Sequence, residues 1–511
     1  MSRKFTSTVA GASLLLATLG LLSRGMGFIR EVVFAGYFGL GENYDIYLVG
    51  AVLPITIDTI IFYLGQNYFI PSFHNFSADS KEAKDKFLRF NFWFFSFVGI
   101  AVALLMYLFS NLIVSLYLGN ASPEIIKKAT DVFNIFLITI PITTSVSILT
   151  ALLHSEFNFV SPGISRLFLN ISIIALVLFF TDALDIYIIP IGYVTGTVLQ
   201  LIYLLIKTEL KLFGESFKGS TLSSVLKSSF IITILVESIS QLYIVSDRYF
   251  VSSVDSGGIA ALNYAQTLYL LPVAIVTLAL STAVLPKLSK SFASGSYYEL
   301  EQTYNDGVKI NLFIFVPLTF IFYFYGNDLI RIIYQRGNFN SSGTALTFSV
   351  LKYLAISFVF YSTYSITNKL LYSANLAKML LYITLAGIVI KIVFNFLLVD
   401  VLKQDGLAVS TSLSFLFFFV SSVLIVKLRG LVKKIIFTQE LIFHLVNAIF
   451  SLLAVKSLTS IFWQGNYFIS YASVALFCAI YLLNEFVMRT RSINLVIGML
   501  NGLSGRNRKA Y

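Results

Sequence analysis

Charged side chains inside long apolar runs are the feature of this sequence most capable of chemistry. Arg24, Arg30 and Glu31 stand in the first run, and Asp45 and Asp58 stand in the second. A charge at the centre of a membrane-spanning helix costs about 2.5 to 3.5 kcal/mol, so such residues usually face a partner or a watery cavity. We therefore treat these five residues as functional candidates.

A second group of charges lies in the later part of the chain. Glu237, Gln241 and Arg248 fall within about 40° of one helical face at 100° per residue. Lys369 belongs to a polar stripe, and Lys391 stands near the middle of another apolar run. Together with the arginines of the first run, these cations predict a positively charged cavity whose ligand is an anion, and arginine forks suit phosphate well.

The sequence assigns these residues two kinds of site role. The predicted substrate-binding residues are cations: Arg24, Arg30, Arg248, Lys369 and Lys391. The predicted acidic cavity or coupling residues are Asp45, Asp58 and Glu237. The alternative for Arg30 with Glu31, and for Asp247 with Arg248, is that they pair or snorkel at the interface without binding a ligand.

Signals for catalysis or a bound metal are weak. The three histidines are scattered, Cys478 is the only cysteine, and no GxSxG motif or paired outer-loop carboxylates occur. We expect no catalytic residue, no metal site and no cofactor, with Na⁺ or H⁺ coupling or the membrane potential alone as the source of energy.

The elements that must position these charges are transmembrane helices. Of the 511 residues 57% are hydrophobic and 12% are charged, against roughly 25% charge in a soluble domain. A bilayer core of about 30 Å needs roughly 20 apolar residues per helix. Fourteen such runs predict an all-α polytopic membrane protein, with spans at 8–36, 45–70, 90–118, 131–153, 164–181, 186–206, 228–250, 260–285, 308–326, 347–372, 378–399, 407–427, 441–463 and 467–488.

Basic residues in the short loops predict the orientation, because cytoplasmic loops are enriched in lysine and arginine. With the N-terminus inside, the inner loops hold most of them, including the group Lys81, Lys84, Lys86 and Arg89. The net charge of +11 thus indicates cytoplasmic loops rather than a nucleic-acid surface. We expect both termini to be cytoplasmic.

A weak internal repeat at an offset of 218 residues indicates two halves. It places Arg30 on Arg248 and Leu53-Pro54 on Leu271-Pro272, which maps predicted helix 1 onto predicted helix 7. The spacing of six helices predicts two parallel six-helix lobes, an arrangement found in transporters that rock two halves about a central site. The predicted domains are an N-terminal lobe at 1–210, a C-terminal lobe at 220–430, two additional helices at 440–490 and a basic cytoplasmic tail at 491–511.

Two sequence blocks resemble the MviN/MurJ lipid II flippases. The run Ser23 to Glu31, with Phe38-Gly39, Asp45 and Leu53-Pro54 after it, is similar to the family pattern SRxxGFxRD, FG, D and LP. The second block comprises Asp247 to Phe250, Ala261 to Ala265, Leu271-Pro272 and Leu285 to Gly295, and looks like the helix 7 to helix 8 region of that family.

The resemblance implies the fold of the multidrug, oligosaccharidyl-lipid and polysaccharide exporter superfamily. It also implies a cationic cavity that admits the pyrophosphate and sugars of an undecaprenyl-linked precursor, with Arg24, Arg30 and Asp45 at family cavity positions. Helices 13 and 14 would hold the polyprenyl tail. The chain departs from the pattern at Asp58 and Thr59, and at Gln266 and Thr267, where family members usually carry a basic residue.

The function expected from this resemblance is movement of lipid II from the inner to the outer leaflet by alternating access, in support of peptidoglycan synthesis and cell shape. Its substrate partner would be an undecaprenyl-pyrophosphate-linked sugar in a bacterial cytoplasmic membrane, with envelope-synthesis machinery as a further partner and no nucleic acid. The alternatives are export of another lipid-linked oligosaccharide, such as an O-antigen or exopolysaccharide unit, a cation-coupled drug antiporter, and a membrane-embedded glycosyltransferase or polymerase.

Overall fold

The structure is a computed structural model, and it describes residues 9–64, 69–70, 81–118, 121–208, 238–239, 241–250, 253–462 and 468–503. Within these ranges the regular structure is entirely helical, as the apolar runs predict. Contact density divides the chain into two units, Met1–Ala261 with Arg336–Gly343, and Leu262–Gln335 with Thr344–Tyr511. The predicted lobe boundary, between residues 210 and 220, lies earlier in the chain than this division at Ala261. The predicted domains and the repeat that relates the two lobes stay predictions.

The first unit is built from helices that follow one another with short breaks. They are α1 (Val9–Phe38), α2 (Glu42–Leu64), α3 (Lys81–Leu108), α4 (Ser110–Leu118), α5 (Pro123–Leu137), α6 (Thr139–Ser155), α7 (Val160–Leu184), a 3₁₀ turn (Asp185–Tyr187) and α8 (Ile188–Thr208). Residues 241–248 are also helical.

The second unit continues the helical pattern to the end of the described chain. Its helices are α9 (Gly258–Ala293), whose first turn belongs to the first unit, α10 (Tyr297–Phe324), α11 (Gly326–Tyr334), α12 (Ser341–Ile356), α13 (Phe358–Ser373), α14 (Ala377–Leu428), α15 (Phe437–Phe462), α16 (Phe468–Val487) and α17 (Arg491–Leu503).

The predicted spans agree with these helices. By length and composition, eight helical segments of the described chain can cross a membrane, or up to ten if each of two bent pairs is one span. Val160–Thr208 has 49 residues, about 74 Å at 1.5 Å per residue, which is more than twice the thickness of a bilayer core. Thirteen of the fourteen predicted runs overlap a helix or a bent pair, and the run at 228–250 lies partly outside the described residues, with residues 241–248 helical.

Two of the long segments are helical hairpins. The backbone reverses at Asp185 (φ 46°) between α7 and α8, and at Lys403 (φ 53°) within α14. In the first hairpin a Cβ at Gly192 would lie 3.0 Å from Ile173 Cα, and one at Gly196 would lie 2.8 Å from Leu169 Cα. These contacts show that α7 and α8 are antiparallel and approach so closely that only glycine fits between them.

Candidate functional site

The first unit contains two parallel helices, α1 and α7, that carry several of its charges. Gly163 packs on Leu19, Arg30 Nη1 donates to Asn170 Oδ1 at 3.3 Å, and Tyr37 OH donates to Leu178 O at 3.5 Å. The partners advance along both helices in the same direction. Side chains of α1 therefore lie beside side chains of α7 about 140 positions later.

Arg24 and Arg166 are a cationic pair on these two helices. Both residues are exposed, and their charges lie close enough to repel each other. The Arg166 guanidinium also lies 4.6 Å from the centre of the Phe62 ring, a distance typical of a cation–π contact. Two accessible guanidinium groups on one face of the unit form a surface that an anion would stabilise.

Arg166 is a functional candidate that was not predicted from the sequence. It stands near the start of the apolar helix α7, so a single arginine in an otherwise apolar run was the available signal. The predicted cationic cavity draws on predicted helices 1, 7, 10 and 11, and Arg166 lies on none of them. Its relation to Arg24 becomes visible only when α1 and α7 are placed side by side.

Arg30 lies in a compact polar cluster rather than on an open surface. Its Nη2 donates to Glu31 Oε1 at 2.8 Å, and Glu31 Oε2 accepts from Tyr44 OH at 3.0 Å. The guanidinium also lies 5.6 Å from the Phe34 ring centre and 5.3 Å from that of Tyr193. The pairing of Arg30 with Glu31, one of the two predicted alternatives, is therefore present, and it neutralises much of the local charge.

Asp45 caps the N-terminus of helix α9. Its Oδ2 accepts from Gly257 N at 2.6 Å and its Oδ1 accepts from Ala260 N at 2.7 Å. Gly257 has φ +79°, a backbone conformation that suits glycine. The carboxylate thus binds amides that a helix start leaves without internal partners, and its negative charge complements the helix dipole.

Arg248 lies close to this cap. It is 4% exposed, its Nη1 donates to Ile259 O at 3.4 Å, and its charge interacts with the carboxylates of Asp247 and Asp45. The structure thus brings two predicted site residues, Asp45 and Arg248, into one buried cluster at the start of α9. Any ligand role of either residue stays a prediction.

Asp58 occupies a different place in the first unit. Its Oδ2 lies 2.6 Å, a hydrogen-bond distance, from Oγ1 of Thr139 at the start of α6. Its Oδ1 is buried and makes no hydrogen bond within the described residues. The third predicted acidic residue, Glu237, lies outside the described residues.

The two predicted lysines belong to the second unit. Lys391 is fully buried inside the α14 hairpin, where its Nζ donates to Thr411 Oγ1 at 2.8 Å. Lys369 is half-buried on α13, and its backbone carbonyl accepts from Ser373 Oγ at 2.9 Å. The hydrogen bond of Lys391 therefore joins the two halves of a hairpin. This partner cannot be predicted from the position of Lys391 in an apolar run.

A buried polar network between α15 and α16 was also not predicted from the sequence, in which the histidines are scattered. His444 and Glu485 are both completely buried, and His444 Nδ1 lies 3.0 Å from Glu485 Oε1. Asn447 Nδ2 donates to the same oxygen at 2.9 Å, and Thr490 Oγ1 donates to Glu485 Oε2 at 2.6 Å. Tyr481 OH lies 2.9 Å from His444 Nδ1. Contacts across 41 residues of sequence hold these helices together.

Known proteins match the chain in sequence over most of its length. The family model described as lipid II flippase MurJ matches residues 34–480. A probable lipid II flippase MurJ of Borreliella burgdorferi is 26% identical, with 86% of this chain and 87% of the relative covered. The lipid II flippase MurJ of Thermosipho africanus is 27% identical, with 79% and 82% covered.

Solved structures match the fold. A lipid II flippase MurJ in an inward closed conformation gives a TM-score of 0.80 at 22% identity, over 93% of this chain and 99% of that one. An inward-facing MATE multidrug transporter gives a TM-score of 0.65 at 14% identity, over 82% of this chain and 98% of that one. The family model covers most of the chain and the relatives are flippases, so this protein is a membrane transporter rather than an enzyme, and it belongs to the lipid II flippase MurJ family.

Proposed function

We propose that this protein moves lipid II, the undecaprenyl-pyrophosphate-linked peptidoglycan precursor, from the inner to the outer leaflet of a bacterial cytoplasmic membrane. The family membership supports the substrate class. Solved MATE transporters of related fold adopt both inward-facing and outward-facing conformations, which supports an alternating-access mechanism. In this mechanism the head group crosses through the protein while the polyprenyl tail stays in lipid.

The observation that carries the proposal is the exposed pair Arg24 and Arg166. Two guanidinium groups close enough to repel each other gain stability when a diphosphate lies between or beside them, because each planar fork can donate two hydrogen bonds to phosphate oxygens. Phe62 packs on Arg166 and restricts the positions that its guanidinium can take. We assign the pyrophosphate of the substrate to this pair.

Arg30 acts beside this pair as a positioning residue. It donates to Asn170 Oδ1, and Asn170 Nδ2 donates to the backbone carbonyl of Arg166 at 3.4 Å. Arg30 thereby connects α1 to the turn of α7 that presents Arg166. The other predicted cations, Arg248, Lys369 and Lys391, remain proposed contributors to the positive potential that an anionic head group meets.

The membrane potential supplies one source of energy for this movement. An inside-negative potential favours outward transfer of a negative charge by about 2.3 kcal/mol per 100 mV. With both termini in the cytoplasm, the substrate would enter from the inner leaflet and leave towards the envelope-synthesis machinery outside.

Rescue of a strain depleted of its own lipid II flippase tests the function. We expect the wild-type chain to restore growth, cell shape and outer-leaflet lipid II, measured by accessibility to an external lipid II-cleaving enzyme. Arg24→Ala with Arg166→Ala should abolish rescue, whereas Arg429→Ala, a change at an exposed residue after α14, should not. Failure of the wild-type chain to rescue, with rescue of a strain lacking an O-antigen flippase instead, would replace lipid II by another lipid-linked oligosaccharide.

A further inference from the structure

Asp58 lies where two membrane segments that each contain a proline meet. It belongs to α2, which contains Pro54 within the helix, and α2 packs against both α5 and α6. The break between α5 and α6 follows from Pro141, which has no N–H to donate to the carbonyl four residues earlier. Thr139, the first residue of α6, is 1% exposed and contacts the Asp58 carboxyl.

The hydrogen-bond geometry around Thr139 accommodates a protonated carboxyl group. Thr139 Oγ1 lies 2.6 Å from Asp58 Oδ2 and 2.7 Å from Phe136 O. Neither of these two oxygens carries a hydrogen when Asp58 is ionised, and the hydroxyl has a single hydrogen to donate. Both contacts are satisfied together when Asp58 carries a proton and donates it to Thr139, while Thr139 donates to Phe136 O.

The second carboxyl oxygen leads to the same conclusion. Asp58 Oδ1 is buried and makes no hydrogen bond of normal geometry within the described residues, although the Thr143 hydroxyl interacts with the carboxyl group. An ionised carboxylate in an apolar environment needs donors or a cation on both oxygens, and without them the group takes up a proton instead. A neutral carboxyl group leaves one carbonyl oxygen unsatisfied, which costs much less than an unsatisfied charge.

The groups that act on the Asp58 carboxyl within the described chain are hydroxyls and not charges. The titratable groups that the described parts of these elements present are Glu42, Tyr44, Asp45, Tyr47 and Tyr63 of α2, Glu124, Lys127, Lys128 and Asp131 of α5, His154 of α6, and Asp185 and Tyr187 of the 3₁₀ turn. Arg166 of α7 also packs against α2, where its guanidinium lies 4.6 Å from the Phe62 ring centre, one helical turn after Asp58. Asp131, the charged residue of α5 and α6 nearest in sequence to Thr139, is about 12 Å away along the helix axis. The groups that interact with the Asp58 carboxyl within the described chain are the Thr139 and Thr143 hydroxyls.

We propose that Asp58 is a proton-binding site whose occupancy changes during the transport cycle, an inference that rests on the proposed transport function. Uptake of one proton converts the carboxylate to a carboxylic acid, which donates to Thr139. Loss of that proton makes Thr139 turn its hydrogen to Asp58 Oδ2 and release Phe136 O. The charge of Asp58 thereby determines which hydrogen bond forms at the junction of α5 and α6.

An infrared titration of the purified full-length protein tests proton binding without any substrate. We expect a protonated-carboxyl band that disappears as the pH rises and is absent from Asp58→Asn. The control Asp182→Asn, at an exposed residue of α7, should keep the band. Thr139→Val should shift its frequency, because the acceptor of the carboxyl hydrogen is lost. A band that persists unchanged in Asp58→Asn would overturn the proposal.

Transport measurements test whether the proton matters to the cycle. In proteoliposomes, the wild type should move lipid II at a rate that changes at least threefold with a pH gradient imposed across the membrane. Asp58→Asn, which is permanently neutral, should lose this dependence, and Asp182→Asn should keep it. Equal pH dependence of the wild type and Asp58→Asn would overturn the coupling. Absence of any lipid II movement by the wild type, with the infrared band intact, would contradict the proposed function and leave the proton site established.

Discussion

Arg30 and Glu31 are neighbours in sequence and form an ion pair at 2.8 Å, with side chains 18% and 10% exposed. Adjacent residues of a helix point about 100° apart, so the pair requires that both side chains bend towards one space between α1 and its neighbours. Tyr44 binds the remaining oxygen of Glu31. The pair therefore stabilises the first unit, and this role is separate from the binding assigned to Arg24 and Arg166.

Removal of one charge of this pair should destabilise the protein. Glu31→Gln leaves the Arg30 guanidinium largely buried without its counter-charge, which costs about 3 kcal/mol for a buried pair. We expect a lower Tm in detergent for Glu31→Gln, and partial recovery when Arg30→Gln is added. A double variant no more stable than Glu31→Gln would show that the ion pair is not what holds these helices.

The Asp45 cap should matter through its acceptor oxygens. Asp45→Ala removes both acceptors for the amides of Gly257 and Ala260, and loss of such a cap costs about 1 to 2 kcal/mol. Asp45→Asn retains one acceptor and should cost less. Thermal unfolding measures both, and equal Tm values for the alanine variant and the wild type would contradict the capping role.

The network around Glu485 should be the most sensitive part of the α15–α16 pair. Glu485→Ala leaves the donors of Asn447 and Thr490 buried without their acceptor, and each such group costs about 1 to 3 kcal/mol. We expect a large fall in Tm. Glu485→Gln keeps an acceptor oxygen, so its Tm should lie between those of Glu485→Ala and the wild type. A lower Tm for Glu485→Gln than for Glu485→Ala would contradict the role of the network.

Lys391 allows charge to be separated from packing. Lys391→Met keeps the length of the side chain but removes its charge, whereas Thr411→Val keeps the charge and removes the hydrogen bond between the halves of α14. If the charge contributes to head-group transfer, the methionine variant should lose transport at unchanged Tm, and the valine variant should keep it. If instead Lys391→Met keeps transport and Thr411→Val loses it, the role of Lys391 is structural.

The fold was largely predictable because runs of apolar residues long enough to cross a bilayer have few alternatives to helices. The partners of the charged residues were much harder to predict. Asp45 contacts amides more than 200 positions away, and Lys391 meets Thr411 only because the chain reverses at Lys403. Arg166 acquires its importance from Arg24 on a parallel helix. Such pairings depend on helix packing, which the period of a single helix does not encode.

Head-group binding by Arg24 and Arg166 is tested most directly by lipid II movement in proteoliposomes that contain the purified protein. Hydrogen bonds to charged groups are worth about 1.5 to 3 kcal/mol each, and every 1.4 kcal/mol is a factor of about ten. We predict that Arg24→Ala with Arg166→Ala lowers the rate at least tenfold at unchanged Tm, whereas Arg429→Ala matches the wild type. A double variant that moves lipid II at the wild-type rate would contradict the assignment.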